Sequence, residues 1–391
     1  MTSLVSVIMP AYNAEAYITQ AIESILAQTY HQWELVVIND GSTDNTQNIV
    51  SSFTDHRIRS INQENHGLGE ARNTGICAAK GEFIALLDAD DTWKPSYIDK
   101  MTALLNSHPS AAAVYSGFQY INSLGNLIGK PNLKIVAPDV FHNTLIFEGN
   151  WLVPSAVVFR KQLVEEVGLF DGSLLGVEDA DFWIRLSAQH MFVGLPAALV
   201  NYRIHNENMS KDPGHMMTGG RRLAEKRHGP PSGDVSLWPE TKRRAYTLLY
   251  RYGVGAYLSA GDVSQSVDYF LRVLEIAPDK VLDMAFWRMI VRAHLSVEYR
   301  NDPTAPPIWD LAQRDIENLL YEIEHRCTQQ KIQRSKMRGS ALLALADEAA
   351  HASEPNRSVG GLMNIALRYP HMLLTRRYYG TLIRSFFPCR R

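Results

Sequence analysis

The amino-acid sequence predicts an α/β fold in its first half and a helical second half. In the first 116 residues, apolar strand-like runs alternate with helical segments. This order is typical of βαβ units, in which helices cover both faces of a mostly parallel sheet. After residue 237 the apolar residues follow a helical period only. We therefore predict two domains, residues 1–210 and 238–391, joined by a linker over 211–237.

The first strand and helix are indicated by local pattern. Residues 5–9 form a short apolar run that ends at Pro10, which predicts a buried strand. Over 14–28 the apolar residues recur at a spacing of three and four, which predicts an amphipathic helix. Asn13 precedes this helix, and we expect its side chain to cap the first turn.

The remaining elements of the α/β half follow from the same two patterns. Apolar runs predict strands, apolar stripes predict helices, and Gly81 and Gly168 end two of the helices. The predicted strands are 34–39, 57–62, 82–87, 111–116, 156–159 and the extended segment 192–204. The predicted helices are 44–53, 67–80, 95–107, 161–167 and 179–189.

Composition excludes several classes of protein. With 46% hydrophobic and 20% charged residues, the 391-residue chain is typical of a folded protein rather than a disordered one. The three cysteines lie far apart, which argues against a disulfide scaffold and a structural zinc site. The net charge of −2 gives no indication of nucleic-acid binding. We find neither a signal-peptide pattern nor an apolar run long enough to cross a bilayer, and we expect a cytoplasmic protein.

The charge is distributed unevenly along the chain. Residues 1–210 carry 12 Lys and Arg against 22 Asp and Glu, whereas residues 211–391 carry 27 against 19. The balance is therefore −10 in the first part and +8 in the second. This asymmetry indicates different roles for the two parts.

Polar side chains follow several of the predicted strands. Asn13, Asp40, Asp88 and Asp90 each come just after a strand end. In open α/β sheets, ligands bind at the carboxyl ends of the strands. We therefore expect these four side chains to face one crevice.

The pair Asp88 and Asp90 predicts a cation site. Carboxylates buried close together are unfavourable unless a cation lies between them, and this oxygen-rich set suits Mg²⁺ or Mn²⁺. The alternative is a solvated turn that caps the helix at Pro95. The position directly after a six-residue apolar strand favours the cation site.

Other polar residues allow two interpretations each. Asp40 either stabilises a turn or accepts a hydrogen bond from a base N–H. Arg72 either lies exposed on the surface or contacts a diphosphate or base. Glu178 and Asp179 either favour a helix dipole or supply a general base for an acceptor hydroxyl. His205 is a core or surface histidine, or a metal ligand.

Seven segments occur in a characteristic order within residues 3–210. They are VIMPAYN (7–13), VINDGSTD (37–44), GLGEARN (67–73), LDADD (87–91), GLFD (168–171), VEDAD (177–181) and YRIH (202–205). Together they closely resemble family 2 glycosyltransferases, which have the GT-A fold and invert configuration at the transferred sugar.

The resemblance implies a role for each matched residue. It implies a nucleotide pocket formed by Pro10, Ala11, Tyr12, Asn13, Asp40, Arg72, Asp88 and Ala89. In that pocket Asp40 accepts from uracil N3–H and Asp88 holds the ribose. Asp90 binds Mn²⁺ or Mg²⁺ at the donor diphosphate, and His205 completes this metal site. Asp179 matches the catalytic base, with support from Glu178, Asp91 and Asn73.

The resemblance also implies the reaction partners. The donor is a nucleoside-diphosphate sugar, with uracil as the expected base. The acceptor is a hydroxyl of a glycan or of a lipid-linked acceptor in cell-surface polysaccharide or glycoconjugate synthesis. An inactive sugar-nucleotide-binding partner protein is the alternative. A different nucleotide enzyme, such as a nucleotidyltransferase or a dehydrogenase, is disfavoured, since neither GxGxxG after the first strand nor GxxxxGK[ST] is present.

The second half predicts helical hairpins and a basic tail. The segments 245–260 and 264–277 resemble a tetratricopeptide hairpin, and a similar pair recurs at 339–352 and 359–369. After Glu354 the chain has seven Arg and no acidic residue, mixed with aromatic and aliphatic side chains. This tail either packs as a helix with its Arg side chains in solvent or contacts an anionic membrane surface at the inner face of the cell membrane.

Overall fold

The structure is a computed structural model that describes residues 3–294, 308–326 and 334–351, together with the single positions 358, 362, 363 and 381. It divides into two compact units, Met1–Leu223 and Ala224–Arg391. The division falls within a helix, Pro213–His228, in the stretch that we predicted as a linker. This stretch is therefore not simply extended, and the boundaries of the predicted domains stay a prediction.

The first unit is built on a nine-stranded sheet, as counted over the described residues. Its order is β3-β2-β1-β4-β8-β6-β9-β5, with β7 paired to β6. In chain order, β1 to β9 are Val5–Ala11, Trp33–Asp40, Ile58–Gln63, Phe83–Leu86, Thr92–Trp93, Ala111–Ile121, Leu127–Asn132, Val157–Arg160 and Met191–Arg203.

The sheet is parallel on one side and mixed on the other. Strands β1 to β4 are all parallel, and the register pairs Val5 with both Trp33 and Phe83. Strand β8 then runs antiparallel between β4 and β6, whereas β9 is parallel to β6. The predicted mostly parallel arrangement therefore holds for the half of the sheet that carries the first three βα units.

Helices cover both faces of this sheet. Buried residues of α1 (Ile18–Leu26) and α4 (Tyr97–Ser107) pack on one face with Val5, Val7 and Met9. Those of α3 (Leu68–Ala78), α5 (Pro138–Glu148) and α7 (Glu178–Ser187) pack on the other face with Ile8. Because both faces are covered, β1 and β2 are buried along their whole length. Helices α1 to α8 are Ile18–Leu26, Thr46–Ser52, Leu68–Ala78, Tyr97–Ser107, Pro138–Glu148, Val164–Val167, Glu178–Ser187 and Pro213–His228.

The start of α1 differs from the prediction. Asn13 does not cap this helix, which begins at Ile18. Instead, the backbone N–H groups of Ala14 and Glu15 donate to Thr46 Oγ1 and Asp44 Oδ2. These bonds hold the segment in a turn against the following loop, and helical geometry therefore begins later than the apolar pattern suggests.

The second unit is helical throughout its described part. Helices α9 (Glu240–Ser259) and α10 (Val263–Ile276) pack against one another, and Tyr250 and Phe270 belong to their common hydrophobic core. These two helices correspond to the first predicted hairpin. Part of the second predicted hairpin, at 359–369, lies almost entirely outside the described residues. The helices from α9 to α13 are Glu240–Ser259, Val263–Ile276, Met284–His294, Ile308–Arg326 and Arg334–His351.

The basic tail also lies outside the described residues, apart from four single positions. In the part of the chain that is described, no helix combines the length and apolar character that a membrane span requires.

Candidate active site

The carboxyl ends of β1, β2 and β4 meet at one edge of the sheet. Their registers pair Ala11 with Asn39 and Ile8 with Leu86, so that the loops after the three strands are neighbours. The first two loops are joined directly, since Asn13 Oδ1 accepts from the Thr43 N–H at 2.9 Å. Asn13 adopts a positive φ of 49°, the left-handed conformation that asparagine tolerates better than most residues.

Asp40 lies at this edge and organises the next loop. Its two carboxylate oxygens accept from Gln63 Nε2 at 2.7 Å and from the N–H groups of His66 and Gly67 at 2.9 Å each. The side chain is only 3% exposed. The sequence suggested turn chemistry or a base contact, and the contacts show that Asp40 at least fixes the loop that leads into α3.

The other residues that we assigned to a nucleotide pocket differ in exposure. Pro10 and Ala11 are buried at the end of β1, and Ala89 is 7% exposed within the loop after β4. Tyr12, in contrast, is 53% exposed. An exposed ring at the end of a central strand is available to stack on a ligand.

Asp91 anchors the loop after β4. It accepts from the Ser155 hydroxyl at 2.6 Å and from the Arg203 N–H at 2.9 Å. Burial and the nearby charges of Asp90 and Asp88 raise the pKa of Asp91 well above its ordinary value, against the lowering effect of these hydrogen bonds. Asp91 is therefore a buried support for the loop rather than a solvated side chain.

Arg203 supports the same loop from the last strand. Its guanidinium donates to the carbonyl of Asp90 at 2.7 Å and to Gln20 Oε1 at 2.8 Å, and it lies over the ring of Tyr17. The residue is 1% exposed. The loop after β4 is thus held from β9 and α1 together, which leaves the side chains of Asp88 and Asp90 half-buried at its surface.

Asp90 and His205, to which the resemblance assigns the metal, lie within hydrogen-bonding distance of each other. His205 Nε2 is 3.0 Å from Asp90 Oδ2, and Asn208 Nδ2 donates to the same oxygen at 3.3 Å. The His205 ring packs against that of Tyr17, with 4.9 Å between their centroids. The alternative in which these aspartates only cap the next helix is not supported, because α4 begins at Tyr97 without a side-chain cap.

Arg72 joins the two sides of the site. Its Nη2 donates to Asp88 at 2.8 Å and its Nη1 donates to Glu178 at 2.7 Å. The side chain is 1% exposed, so that it is not the surface arginine of the alternative interpretation. Burial alone would lower the pKa of Arg72, but Asp88 and Glu178 outweigh burial and raise it. Arg72 therefore remains charged and holds the end of β4 beside the start of α7.

Asp179 follows Glu178 at the start of α7. Its Oδ1 accepts from the Ala180 N–H at 2.7 Å and its Oδ2 from Asn150 Nδ2 at 2.9 Å. Burial and repulsion from Glu178 raise the pKa of Asp179 to about 7, although Arg72 acts in the opposite direction. A carboxyl with this pKa exchanges its proton near neutral pH, as a general base requires.

Asn73 connects α3 to the segment before α7. Its amide exchanges two hydrogen bonds of 2.9 Å with the backbone of Phe170. The Phe170 ring in turn stacks on Phe182 of α7, with centroids 4.4 Å apart. These contacts set the position of α7, and hence of Asp179, relative to Arg72.

Four residues of this site were missed by sequence reasoning. Arg203 and Asn208 lie beside His205 in the chain, so that the YRIH segment offered a signal for them. Ser155 and Asn150 follow no strand or motif, and only the packing of their loops brings them to Asp91 and Asp179.

Comparison with known proteins gives the family. The model of glycosyl transferase family 2 matches residues 6–166. An uncharacterized glycosyltransferase of Haemophilus influenzae is 35% identical over 230 residues, which are 54% of this chain and 69% of that protein. This chain belongs to glycosyl transferase family 2. A relative named for its reaction, the Escherichia coli UDP-Glc:alpha-D-GlcNAc-diphosphoundecaprenol beta-1,3-glucosyltransferase WfgD, is 31% identical over 212 residues, 54% of this chain and 80% of that protein.

Coverage of the relatives varies widely. The chain described here spans only 35% of the length of an uncharacterized Rickettsia felis glycosyltransferase, to which it is 32% identical. Among solved structures, that of S. aureus TarS 1–349 in complex with UDP-GlcNAc matches with a TM-score of 0.53 and 20% identity, over 84% of this chain and 93% of that one. At this identity the likeness concerns the fold, which is GT-A.

Replacing Arg72 tests whether the two-sided contact stabilises the unit. In Arg72→Met, Asp88 and Glu178 lose their common partner, and we expect the free energy of unfolding to fall by about 3–5 kcal/mol. Urea denaturation measures this change. The control is Arg57→Met, which removes a half-exposed partner of Asp55 and should cost no more than about 1 kcal/mol. Equal losses in the two variants would contradict the role assigned to Arg72.

Proposed function

We propose that this protein is an inverting glycosyltransferase that moves a sugar from a nucleoside-diphosphate donor, with UDP as the expected nucleotide, to an acceptor hydroxyl. The observation that carries the proposal is Asp179, a carboxyl of pKa about 7 held next to the Arg72 contact and hence beside the aspartates after β4. A proton acceptor and a candidate diphosphate site thereby share one edge of the sheet.

The charge balance of the site favours a bound cation. Five carboxyl groups lie together here, and those of Asp91 and Asp179 have raised pKa values. The other three, Asp88, Asp90 and Glu178, still outnumber the two buried arginines, Arg72 and Arg203. Both terminal nitrogens of Arg72 already donate to carboxylates, so that Arg72 offers little further charge to a ligand. A diphosphate therefore needs another positive charge to bind here.

Asp90 and His205 fit a divalent ion as ligands. Carboxylate oxygen and imidazole nitrogen are both ligands of Mn²⁺, and a carboxylate with substrate phosphates is typical of Mg²⁺. Within the described residues, no group of three or more His, Cys, Asp or Glu side chains is arranged to hold a metal ion. We infer that the donor phosphates and water complete the set, and the bound ion would supply positive charge against the leaving diphosphate.

The protein residues account for the transfer step. Asp179 accepts the proton of the acceptor hydroxyl while that oxygen bonds to the anomeric carbon and the bond from this carbon to the diphosphate oxygen breaks. A single in-line displacement inverts the configuration at that carbon. The Arg72 contact holds Asp88 and Glu178 in place, so that the general base and the donor site keep a constant separation.

The acceptor follows by likeness to relatives. WfgD is named for a diphosphoundecaprenol-linked acceptor, and we propose a glycan or lipid-linked glycan for this family member too, in cell-surface polysaccharide or glycoconjugate synthesis. A catalytically inactive sugar-nucleotide-binding protein is the alternative. Release of nucleoside diphosphate on addition of donor and acceptor would exclude this alternative.

Asp179→Asn tests the general base. The variant keeps the shape of the side chain but cannot take a proton, so that transfer should fall about 10²–10⁴-fold. Donor binding, measured by calorimetry, should change little because the aspartates after β4 remain. Wild-type transfer should rise with pH through about 7 as Asp179 loses its proton. Unchanged turnover in Asp179→Asn would refute the assignment.

Asp90→Ala tests the cation site. With Mn²⁺ present, calorimetry should show weaker donor binding in the variant than in the wild type, by about tenfold or more. Without Mn²⁺ the variant should bind the donor no more weakly than the wild type, since it lacks only a metal ligand and one negative charge. A wild-type protein whose donor affinity does not depend on Mn²⁺ or Mg²⁺ would contradict this part of the proposal.

The basic tail after Glu354 bears on where in the cell the protein acts. We propose that it contacts the inner face of the cell membrane, because cationic and aromatic side chains together bind anionic lipid surfaces. The full-length chain should sediment with anionic vesicles at low salt and be released at about 0.5 M salt, where screening is strong. Vesicles of neutral lipid are the control. A chain that stays in the supernatant with both kinds of vesicle would exclude this contact.

A further inference from the structure

Asn150 is exposed at the surface, yet both polar atoms of its side chain make hydrogen bonds. Its Nδ2 donates to Asp179 Oδ2 at 2.9 Å, and its Oδ1 accepts from the Leu152 N–H at 3.0 Å. Because the Leu152 N–H can only donate, the Asn150 oxygen must face it. The amide nitrogen is therefore directed at the carboxylate, and the two bonds together determine which way the amide points.

The turn that carries Asn150 is anchored on both sides. Before it, Gly149 ends α5 with a φ of 92°, a conformation that favours glycine. After it, the Trp151 ring packs edge-on against Phe141, with Lys134 over its face, and Leu152 is buried. The exposed Asn150 amide is thus held in place by its neighbours in the turn. Because the Asn150 side chain is itself exposed, it adds little to the hydrophobic core.

The two oxygens of Asp179 have different partners. Oδ1 accepts from the Ala180 N–H, which belongs to the same helix as Asp179, whereas Oδ2 accepts from Asn150 on a separate loop. Each oxygen of a carboxylate has two lone pairs, so that one on each oxygen stays available. The bond from Asn150 restricts rotation of the carboxylate and so determines where the available lone pairs point.

We propose that Asn150 is a positioning residue for the general base, which holds Asp179 Oδ2 so that the remaining lone pairs face the acceptor hydroxyl. This inference rests on the proposed function of Asp179. A hydrogen bond donated to the ionised carboxylate also favours that form over the protonated one. Asn150 should therefore affect both the orientation and the ionisation of the base.

The charged neighbours of Asp179 set the background for this effect. Glu178 and Asp88 raise the pKa of Asp179, and Arg72 lowers it, as does the Ala180 N–H. Asn150 adds no charge and lies on the exposed side of Asp179. An acidic residue in place of Asn150 would put a second carboxylate next to Asp179 Oδ2. The charged neighbours named above would stay unchanged.

Asn150→Asp is the sharpest test. Asp keeps the shape of the side chain and an oxygen for the Leu152 N–H, but it exchanges the donated hydrogen bond for repulsion. A carboxylate at this distance raises a neighbouring pKa by about 1 or more. We expect the acid limb of the pH profile of transfer to move from about 7 to about 8 or above. Transfer at pH 7 should fall at least about fivefold, recover by about pH 9, and leave the donor Kd unchanged.

Asn132→Asp is the matched control. Asn132 also accepts from the N–H two residues later, that of Lys134 at 3.0 Å, and no hydrogen bond links it to Asp179. Its replacement should leave the pH profile unmoved. An unmoved acid limb in Asn150→Asp, or an equal shift in Asn132→Asp, would overturn the proposal. A uniform loss at all pH values, without recovery at high pH, would also overturn it, since that result indicates only a structural role.

A second measurement separates this inference from the proposed function. In protein labelled with ¹³C at the Asp carboxyls, the resonance that disappears in Asp179→Asn reports the pKa of Asp179 without turnover. A higher pKa in Asn150→Asp than in the wild type supports the contact, and an identical pKa contradicts it. Failure of the wild type to transfer any sugar would instead contradict the proposed function.

Discussion

The contact that Arg72 makes with Asp88 and Glu178 is the constraint on which the site depends. A buried guanidinium is unfavourable unless anions and hydrogen bonds replace the lost water, and here both terminal nitrogens donate to carboxylates. The two partners come from the end of β4 and the start of α7, and the cation is thus stable only when these elements are adjacent. The aspartates after β4 and the carboxyl of Asp179 are held together as a consequence.

The carboxyl groups around this contact have different environments and therefore different roles. Asp91 is enclosed by Ser155 and Arg203, and its raised pKa suits a structural support. Asp90 is half-exposed and meets His205, as a metal ligand would. Asp179 has a pKa of about 7, which suits proton transfer at neutral pH. Burial and nearby charge thus give these three chemically similar groups different environments.

Local pattern predicted most of the fold, and the differences have physical causes. Apart from the two-residue strand β5, which was not predicted, the strands and helices of the first 116 residues follow the predicted order. Their apolar periods reflect burial on one face or on both. Asn13 differs because two backbone N–H groups of the next turn bond to Asp44 and Thr46, a contact that no local period records. Residues 213–228 differ because Gly and charged residues obscured a helix with little apolar pattern.

Residue types at short spacing were enough to predict the α/β order, the acidic cluster after the fourth strand and the family resemblance. Which of these residues meet depends on the folding of distant segments onto one another. Arg72 and Glu178 are 106 positions apart, and Asn150 is 29 positions from Asp179. The pKa of Asp179 also belongs to the folded chain, since its burial and the opposing charge of Arg72 arise only after α7 has packed beside α3.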